Sequence, residues 1–132
     1  MTTRRHFLNA SLLSAVALAA PYAQAQAQTP SYPSKPIRIV VPFGPGGATD
    51  VVARTVADKL SARLGQPMIV DNKPGASTMI GADAVAKAAP DGYTLMVSGS
   101  STYTVVPALK ERMPYDPQKD LALIALLVKA PL

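Results

Sequence analysis

Ile37-Arg38-Ile39-Val40-Val41 is a short, β-branched, mostly apolar run stopped by Pro42, and its junction with a glycine turn and a long helix constrains the fold more than any other feature. Phe43-Gly44-Pro45-Gly46-Gly47 reads as the turn. A helix is expected from about Thr49 to Leu64, because Ala53, Val56, Ala57, Leu60 and Leu64 fall on one face at helical spacing. Thr49 is the expected N-cap, Asp50 suits the positive end of the helix dipole, and Arg63 suits the negative end. Gly65 offers the left-handed residue that ends a helix, and Pro67 blocks continuation. A buried strand that feeds an amphipathic helix through a glycine turn opens a βαβ unit, whose return strand lies parallel to the first.

The same alternation continues along the chain. Met68-Ile69-Val70 reads as a second strand and Asp71-Asn72-Lys73-Pro74-Gly75 as a turn. Ser77 or Thr78 is expected to cap a second helix that runs to about Ala89 and is ended by Pro90. Asp91-Gly92 turns the chain into a third strand, Thr94 to Val97, and Ser98 to Thr102 is a polar loop of small residues. A short helix is expected over Val105 to Lys110, and Asp116-Pro117 resembles an N-cap followed by proline at the first helical position. Leu121 to Val128 is apolar and reads as a fourth strand, with a helix as the alternative. Met79 and Met96 read as core, and Tyr93, Tyr103 and Tyr115 as half-buried packing residues. Strand, helix, strand, helix, strand, short helix, strand predicts an α/β fold with a doubly wound, mostly parallel sheet. No internal repeat interrupts it.

Composition removes several kinds of chemistry. The 132 residues suffice for one ordinary domain. There is no Cys, so disulfide scaffolds and Cys-ligated zinc or iron–sulfur sites are excluded. The single His, His6, lies in the N-terminal segment, which leaves no Ser-His-Asp or Cys-His arrangement. No catalytic residue, metal site or cofactor is expected. With no Trp and only 5 Tyr and 2 Phe, stacking platforms for single-stranded nucleic acid are not expected either.

Residues 1–27 have the layout of an export signal. Arg4-Arg5 form the charged region, Phe7 to Ala20 a short apolar stretch, and Ala23-Gln24-Ala25 or Ala25-Gln26-Ala27 the small-residue cleavage site. Thr3-Arg4-Arg5-His6-Phe7-Leu8 also resembles a twin-arginine signal. The apolar stretch is too short for a stable membrane span. Cleavage near Ala25 or Ala27 is expected to leave a periplasmic protein. Setting Arg4 and Arg5 aside, 11 basic residues face 8 acidic ones, a balance of +3. They are scattered, as on a solvated surface, and point to no nucleic-acid or membrane-surface partner. Residues 28–36, with Pro30, Pro33 and Pro36, read as a linker.

Ligands of open α/β sheets bind beyond the carboxyl ends of the strands. Three loops leave those ends: Pro42 to Thr49, Asn72 to Thr78 and Ser98 to Thr104. All are rich in Gly, Ser, Thr and Ala, and the only candidate base beside them is Asp50. Small residues admit a ligand to the backbone, and N–H groups at a helix N-terminus favour an anion. The first loop lacks the spacing of a Walker motif and of Gly-x-Gly-x-x-Gly. Candidate ligand-binding positions are Phe43, Gly44, Gly46, Gly47, Ala48 and Thr49 in the first loop, Ser77 and Thr78 in the second, and Ser98, Ser100, Ser101 and Thr102 in the third. Asp50 reads first as a partner of the helix dipole, and Ser77 and Thr78 first as caps.

Longer blocks carry a resemblance. Tyr32-Pro33-Ser34-Lys35-Pro36-Ile37-Arg38-Ile39-Val40-Val41-Pro42-Phe43 with Gly46-Gly47-Ala48-Thr49-Asp50 resembles the opening of Bug-type solute-binding receptors of the tripartite tricarboxylate transporter family. The resemblance continues through Leu64-Gly65-Gln66-Pro67, Asn72-Lys73-Pro74-Gly75-Ala76, Ile80-Gly81-Ala82, Ala89-Pro90-Asp91-Gly92-Tyr93-Thr94-Leu95 and Pro114-Tyr115-Asp116-Pro117. It implies the first lobe of a periplasmic Venus-flytrap receptor, spanning residues 37–132. Such a receptor is not an enzyme. It captures a small carboxylate through backbone groups of the loop after the first strand, here Phe43 to Thr49, and hands it to membrane transporter subunits. It is expected to act as a monomer. Ser77 and Thr78 stand where the family's second loop is richer in glycine, a difference that bears on selectivity.

The apolar run toward Leu132 has no polar exit, so the lobe is expected to be incomplete, its second lobe missing, and to bind weakly alone. Two other readings are an extracytoplasmic sensor that presents its ligand without transport, and an enzyme using the glycine-rich loop for an anion.

Overall fold

The computed structural model describes residues 31–110 and 112–129. The expected export signal and its cleavage site lie outside the described residues. Three strands form one parallel sheet in the order β2-β1-β3: β1 is Ile37–Val41, β2 is Met68–Asn72 and β3 is Thr94–Met96. Ile37 sits opposite Met68 and Val41 opposite Asn72 on one side of β1, and Arg38 to Val40 face Thr94 to Met96 on the other. Helix α1, Ala48–Leu64, connects β1 to β2, and α2, Met79–Ala86, connects β2 to β3. The first crossover steps outward from β1 and the second returns across it. Right-handed connections therefore put the two helices on opposite faces, which is the doubly wound arrangement expected.

The core is built on the middle strand. Ile39 and Val41 meet Ala53 and Ala57 of α1, with Phe43, Met68, Val70, Leu95 and Val97 packed around them. The two alanines let the helix backbone lie close to the sheet. Val40 points to the other face by strand alternation and is also fully buried. Fully burying each such Ile or Val stabilises the fold by about 1.5–3 kcal/mol. On that second face Gly81 of α2 is pressed against Pro42, and a Cβ there would lie 2.8 Å from Pro42 Cβ and 2.9 Å from the Lys73 carbonyl oxygen.

Helix α1 ends as the sequence predicts, with Gly65 left-handed at φ 68° and its N–H donating to the Ser61 carbonyl at 3.0 Å. Of the face read from spacing, Ala53 and Ala57 are buried, Val56 and Leu60 half-buried and Leu64 exposed. Met79 and Met96 are half-buried rather than core. Tyr93 and Tyr103 are half-buried as expected, whereas Tyr115 is buried. Strand β2 runs two residues beyond Val70, and α2 stops at Ala86 rather than Ala89.

The segment before β1 has no regular structure but is pinned to the turn before β3. Tyr32 Oη donates to the Gly92 carbonyl at 2.8 Å, the Ser34 N–H donates to Tyr93 Oη at 2.8 Å, and the Lys35 ammonium lies 4.3 Å from the Tyr93 ring centre.

Two expectations downstream of β3 are corrected. Asp116 accepts from the Gln118 and Lys119 N–H groups, and Asp120 accepts from the Asp116 N–H, the pattern of a helix start. Only one turn forms, however, and no helix follows among the described residues. Leu121 to Val128 is no strand: it has no regular structure, and Leu123, Ile124 and Leu126 are 77%, 80% and 81% exposed. An apolar run becomes a strand only through hydrogen bonds to a neighbour, and Leu121 to Val128 pairs with neither edge strand of the sheet.

Candidate functional site

The carboxyl ends of all three strands open onto loops of small residues, and two hydrogen-bond networks shape those loops. The first network is centred on Asp50. Helix α1 starts one residue earlier than the sequence suggests, at Ala48, with Gly47 and not Thr49 at the N-cap position and no side chain capping it. Gly46 takes φ 83°, which lets the chain fold back into the helix. The first helical bond runs from the Val51 N–H to the Gly47 carbonyl at 3.0 Å. The N–H groups of the first turn therefore have no acceptor within the helix, the kind of helix start that in general favours an anion.

Asp50 does more than complement that dipole. It is buried, and its Oδ2 accepts from the Gly46 N–H and from Arg54 Nε, each at 2.9 Å. Asn72, the last residue of β2, donates through Nδ2 to Asp50 Oδ1 at 2.9 Å and to the Phe43 carbonyl at 3.1 Å. Arg54 Nη2 closes the network on Asn72 Oδ1 at 3.1 Å. The Arg54 guanidinium first, then the Gly46 N–H and the Asn72 amide, hold the Asp50 carboxyl well below the usual carboxylate range, and Arg54 is pushed up in return. Asp50 is thus a fixed, compensated anion and a poor proton acceptor. Its negative charge is held by Arg54, the Gly46 N–H and the Asn72 amide.

The second network joins the other two loops. Ala76, Ser77 and Thr78 form one left-handed turn, with φ of 45°, 55° and 78°. Thr78 occupies the N-cap position of α2, yet its side chain makes no cap hydrogen bond, and Ser77 lies a residue too early to cap. This corrects the cap expectation for both. The Thr78 hydroxyl instead accepts from Thr102 Oγ1 at 3.0 Å, and Thr102 Oγ1 in turn bonds to Ser98 Oγ. The third loop is not irregular throughout: Ser100–Tyr103 make a short helix, α3, followed by α4, Val105–Leu109.

Of the candidate positions, Phe43, Gly44, Gly46, Gly47, Ala48 and Thr49 are brought together around the start of α1. Thr78, Ser98 and Thr102 are joined through their hydroxyls. Ser77 is exposed on the left-handed turn, and Ser100 and Ser101 lie in α3. The Gly81–Pro42 contact sets the start of α2 beside the loop after β1. Sequence reasoning misses Asn72 and Arg54 as shapers of the site. The signal for Asn72 is its place at the carboxyl end of a strand beside the glycine loop; nothing local pairs it with Asp50.

A parallel sheet with a helix on each face, and loops of small residues at its carboxyl edge, is consistent with a lobe of the periplasmic-binding-protein class. Solved structures agree. MatC from Rhodopseudomonas palustris with bound malate is 42% identical, with a TM-score of 0.69 over 73% of this chain and 33% of its own. A second R. palustris protein, with adipate, is 38% identical, with a TM-score of 0.63 over 66% of this chain and 29% of its own. A structure described as a periplasmic transporter is 55% identical, with a TM-score of 0.64 over 66% of this chain and 29% of its own. Among curated relatives, a UPF0065 protein of Bordetella bronchiseptica is 50% identical over 92% of this chain and 36% of its own length. BugT of Bordetella pertussis is 47% identical over 77% of this chain and 32% of its own length. The family model for the tripartite tricarboxylate transporter family receptor matches residues 52–132. The chain belongs to that family. It spans about a third of the length of the curated relatives it matches.

Proposed function

We propose that the protein captures a small carboxylate in the periplasm and delivers it to membrane transporter subunits of the tripartite tricarboxylate type, without chemical change to the ligand. The observation that carries this reading is the start of α1. Its N–H groups are capped by no side chain, and the acidic residue of its first turn is already neutralised by Arg54. Phe43, Gly44, Gly46, Gly47, Ala48 and Thr49 grip the carboxylate through the backbone. Ser77, Thr78, Ser98, Ser100, Ser101 and Thr102 line the remainder of the site. Residues 1–27 direct export. The malate and adipate in structures of similar proteins favour the same ligand class.

Backbone donors suit this task. They are rigid, add no titrating group near neutral pH, and bind anions without a full positive charge that would hold the ligand too tightly for release. The three loops offer no free base, which speaks for capture rather than catalysis. Calorimetric titration of the full-length gene product with adipate and with its neutral diamide tests the reading. Adipate or a related carboxylate binds and the diamide does not; equal binding of both would contradict it.

A further inference from the structure

Three consecutive residues with side chains, Ala76, Ser77 and Thr78, occupy a left-handed turn that glycine would adopt at lower cost. Strain of this kind persists where the surrounding structure imposes it, and it is found most often at ligand sites. The hydroxyl network explains what the third residue does there. Thr102 is fully buried and Thr78 is 8% exposed. Thr102 Oγ1 donates its proton to Thr78 Oγ1. A hydroxyl has one proton, so in the bond between Ser98 and Thr102 the donor is Ser98. Protons therefore point from Ser98 to Thr102 to Thr78. The Thr78 proton has no acceptor among the described residues. The Thr78 hydroxyl thus accepts one hydrogen bond and keeps its own proton to donate, and a ligand oxygen would take it.

We infer that Thr78 is a specificity-determining residue whose hydroxyl donates to an oxygen of the bound carboxylate, with Thr102 and Ser98 as the positioning residues that aim it. The inference rests on the carboxylate reading. The position fits, because Thr78 opens the helix whose Gly81 lies against Pro42, at the head of the anion-binding loop. A donor at this point favours an acceptor oxygen and disfavours a ligand that places an N–H or ammonium group there. A glycine at residue 78 would relieve the strain but supply no such donor.

The test titrates the full-length gene product, as wild type and as Thr78→Val, Thr78→Ser, Thr102→Val and Ala76→Gly, with malate, adipate and citrate, alongside thermal unfolding. Thr78→Val and Thr102→Val are expected to bind the preferred acid about tenfold more weakly. Thr78→Ser, which keeps the hydroxyl, holds the affinity within about threefold. Ala76→Gly relieves the same backbone strain, raises the unfolding midpoint and leaves affinity unchanged. Undiminished affinity in Thr78→Val, or a loss in Thr78→Ser as large as in Thr78→Val, would overturn the inference while leaving the carboxylate reading intact. A wild-type protein that binds none of the three acids overturns the carboxylate reading, and this inference with it.

Discussion

The side-chain amide of Asn72 donates to Asp50 Oδ1 at 2.9 Å and so ties the end of β2 to the first turn of α1. The same nitrogen reaches the Phe43 carbonyl, and the amide oxygen accepts from Arg54. One residue thereby fixes both sides of the loop proposed to hold the carboxylate. Replacing it removes a part-buried donor to a carboxylate and to a backbone carbonyl at once. Asn72→Ala is expected to lower stability by about 1–3 kcal/mol by chemical denaturation. Asn72→Asp is expected to do worse at neutral pH, because it sets a second carboxylate against Asp50, and to recover in part as acid protonates one of the pair. Equal stability of Asn72→Asp and wild type at pH 7 would contradict this role.

Acid should expose the Asp50 network directly. The folded protein holds this carboxyl below its ordinary value of 3.8, so the unfolded chain binds the proton first. The stabilisation is complete above that ordinary value and declines as pH falls through and below it. Asp91 and Asp116 are lowered too, by the Tyr93 N–H and the Gln118 N–H first, and act in the same direction. Unfolding curves from pH 6 to about pH 2 should therefore show a falling limb that begins near pH 4. Asp50→Asn should be less stable at neutral pH and have a shallower limb. A limb of unchanged slope in that variant would show that Asp50 is not among its sources.

Gly81 offers a test of how the second face is packed. A methyl at this position would stand 2.8 Å from Pro42 Cβ and 2.9 Å from the Lys73 carbonyl oxygen, and neither neighbour is a flexible side-chain end. Gly81→Ala is expected to destabilise by about 1–3 kcal/mol despite alanine's better helix propensity, and to weaken ligand binding by moving the loop after β1. A gain in stability would mean that α2 and Pro42 are not closely apposed.

Much of the frame is legible in the sequence because its signals are local. The β-branched run at Ile37–Val41 and Gly65 followed by Pro67 each report on a few adjacent residues. Such rules find the strands, the long helix and its end. They misplace the start of that helix because capping rules seek a side-chain acceptor such as Thr49, whereas Gly47 serves through its backbone geometry alone. The Asp50–Asn72 bond spans 22 residues and two elements, so nothing in either neighbourhood announces it. The left-handed turn at Ala76–Thr78 is hidden for the opposite reason: none of its residues is the glycine that such φ angles favour, and a cap is the ordinary meaning of Ser77 and Thr78. Leu121 to Val128 has the composition of a strand, but a strand is a relation to a partner that composition does not supply.

In the proposed binding mode, backbone N–H groups at the start of α1 hold the carboxylate. Ala48 is the first helical residue, it is exposed, and Gly47 before it has φ −77° and ψ 168°, values that a following proline accepts. Ala48→Pro therefore deletes one N–H from the proposed site at little cost to the helix. The decisive measurement is calorimetric titration of the full-length gene product and its Ala48→Pro variant with the preferred carboxylate, alongside their unfolding midpoints. Matching midpoints and an affinity at least about tenfold weaker in the variant are expected. Matching midpoints with unchanged affinity would contradict this binding mode.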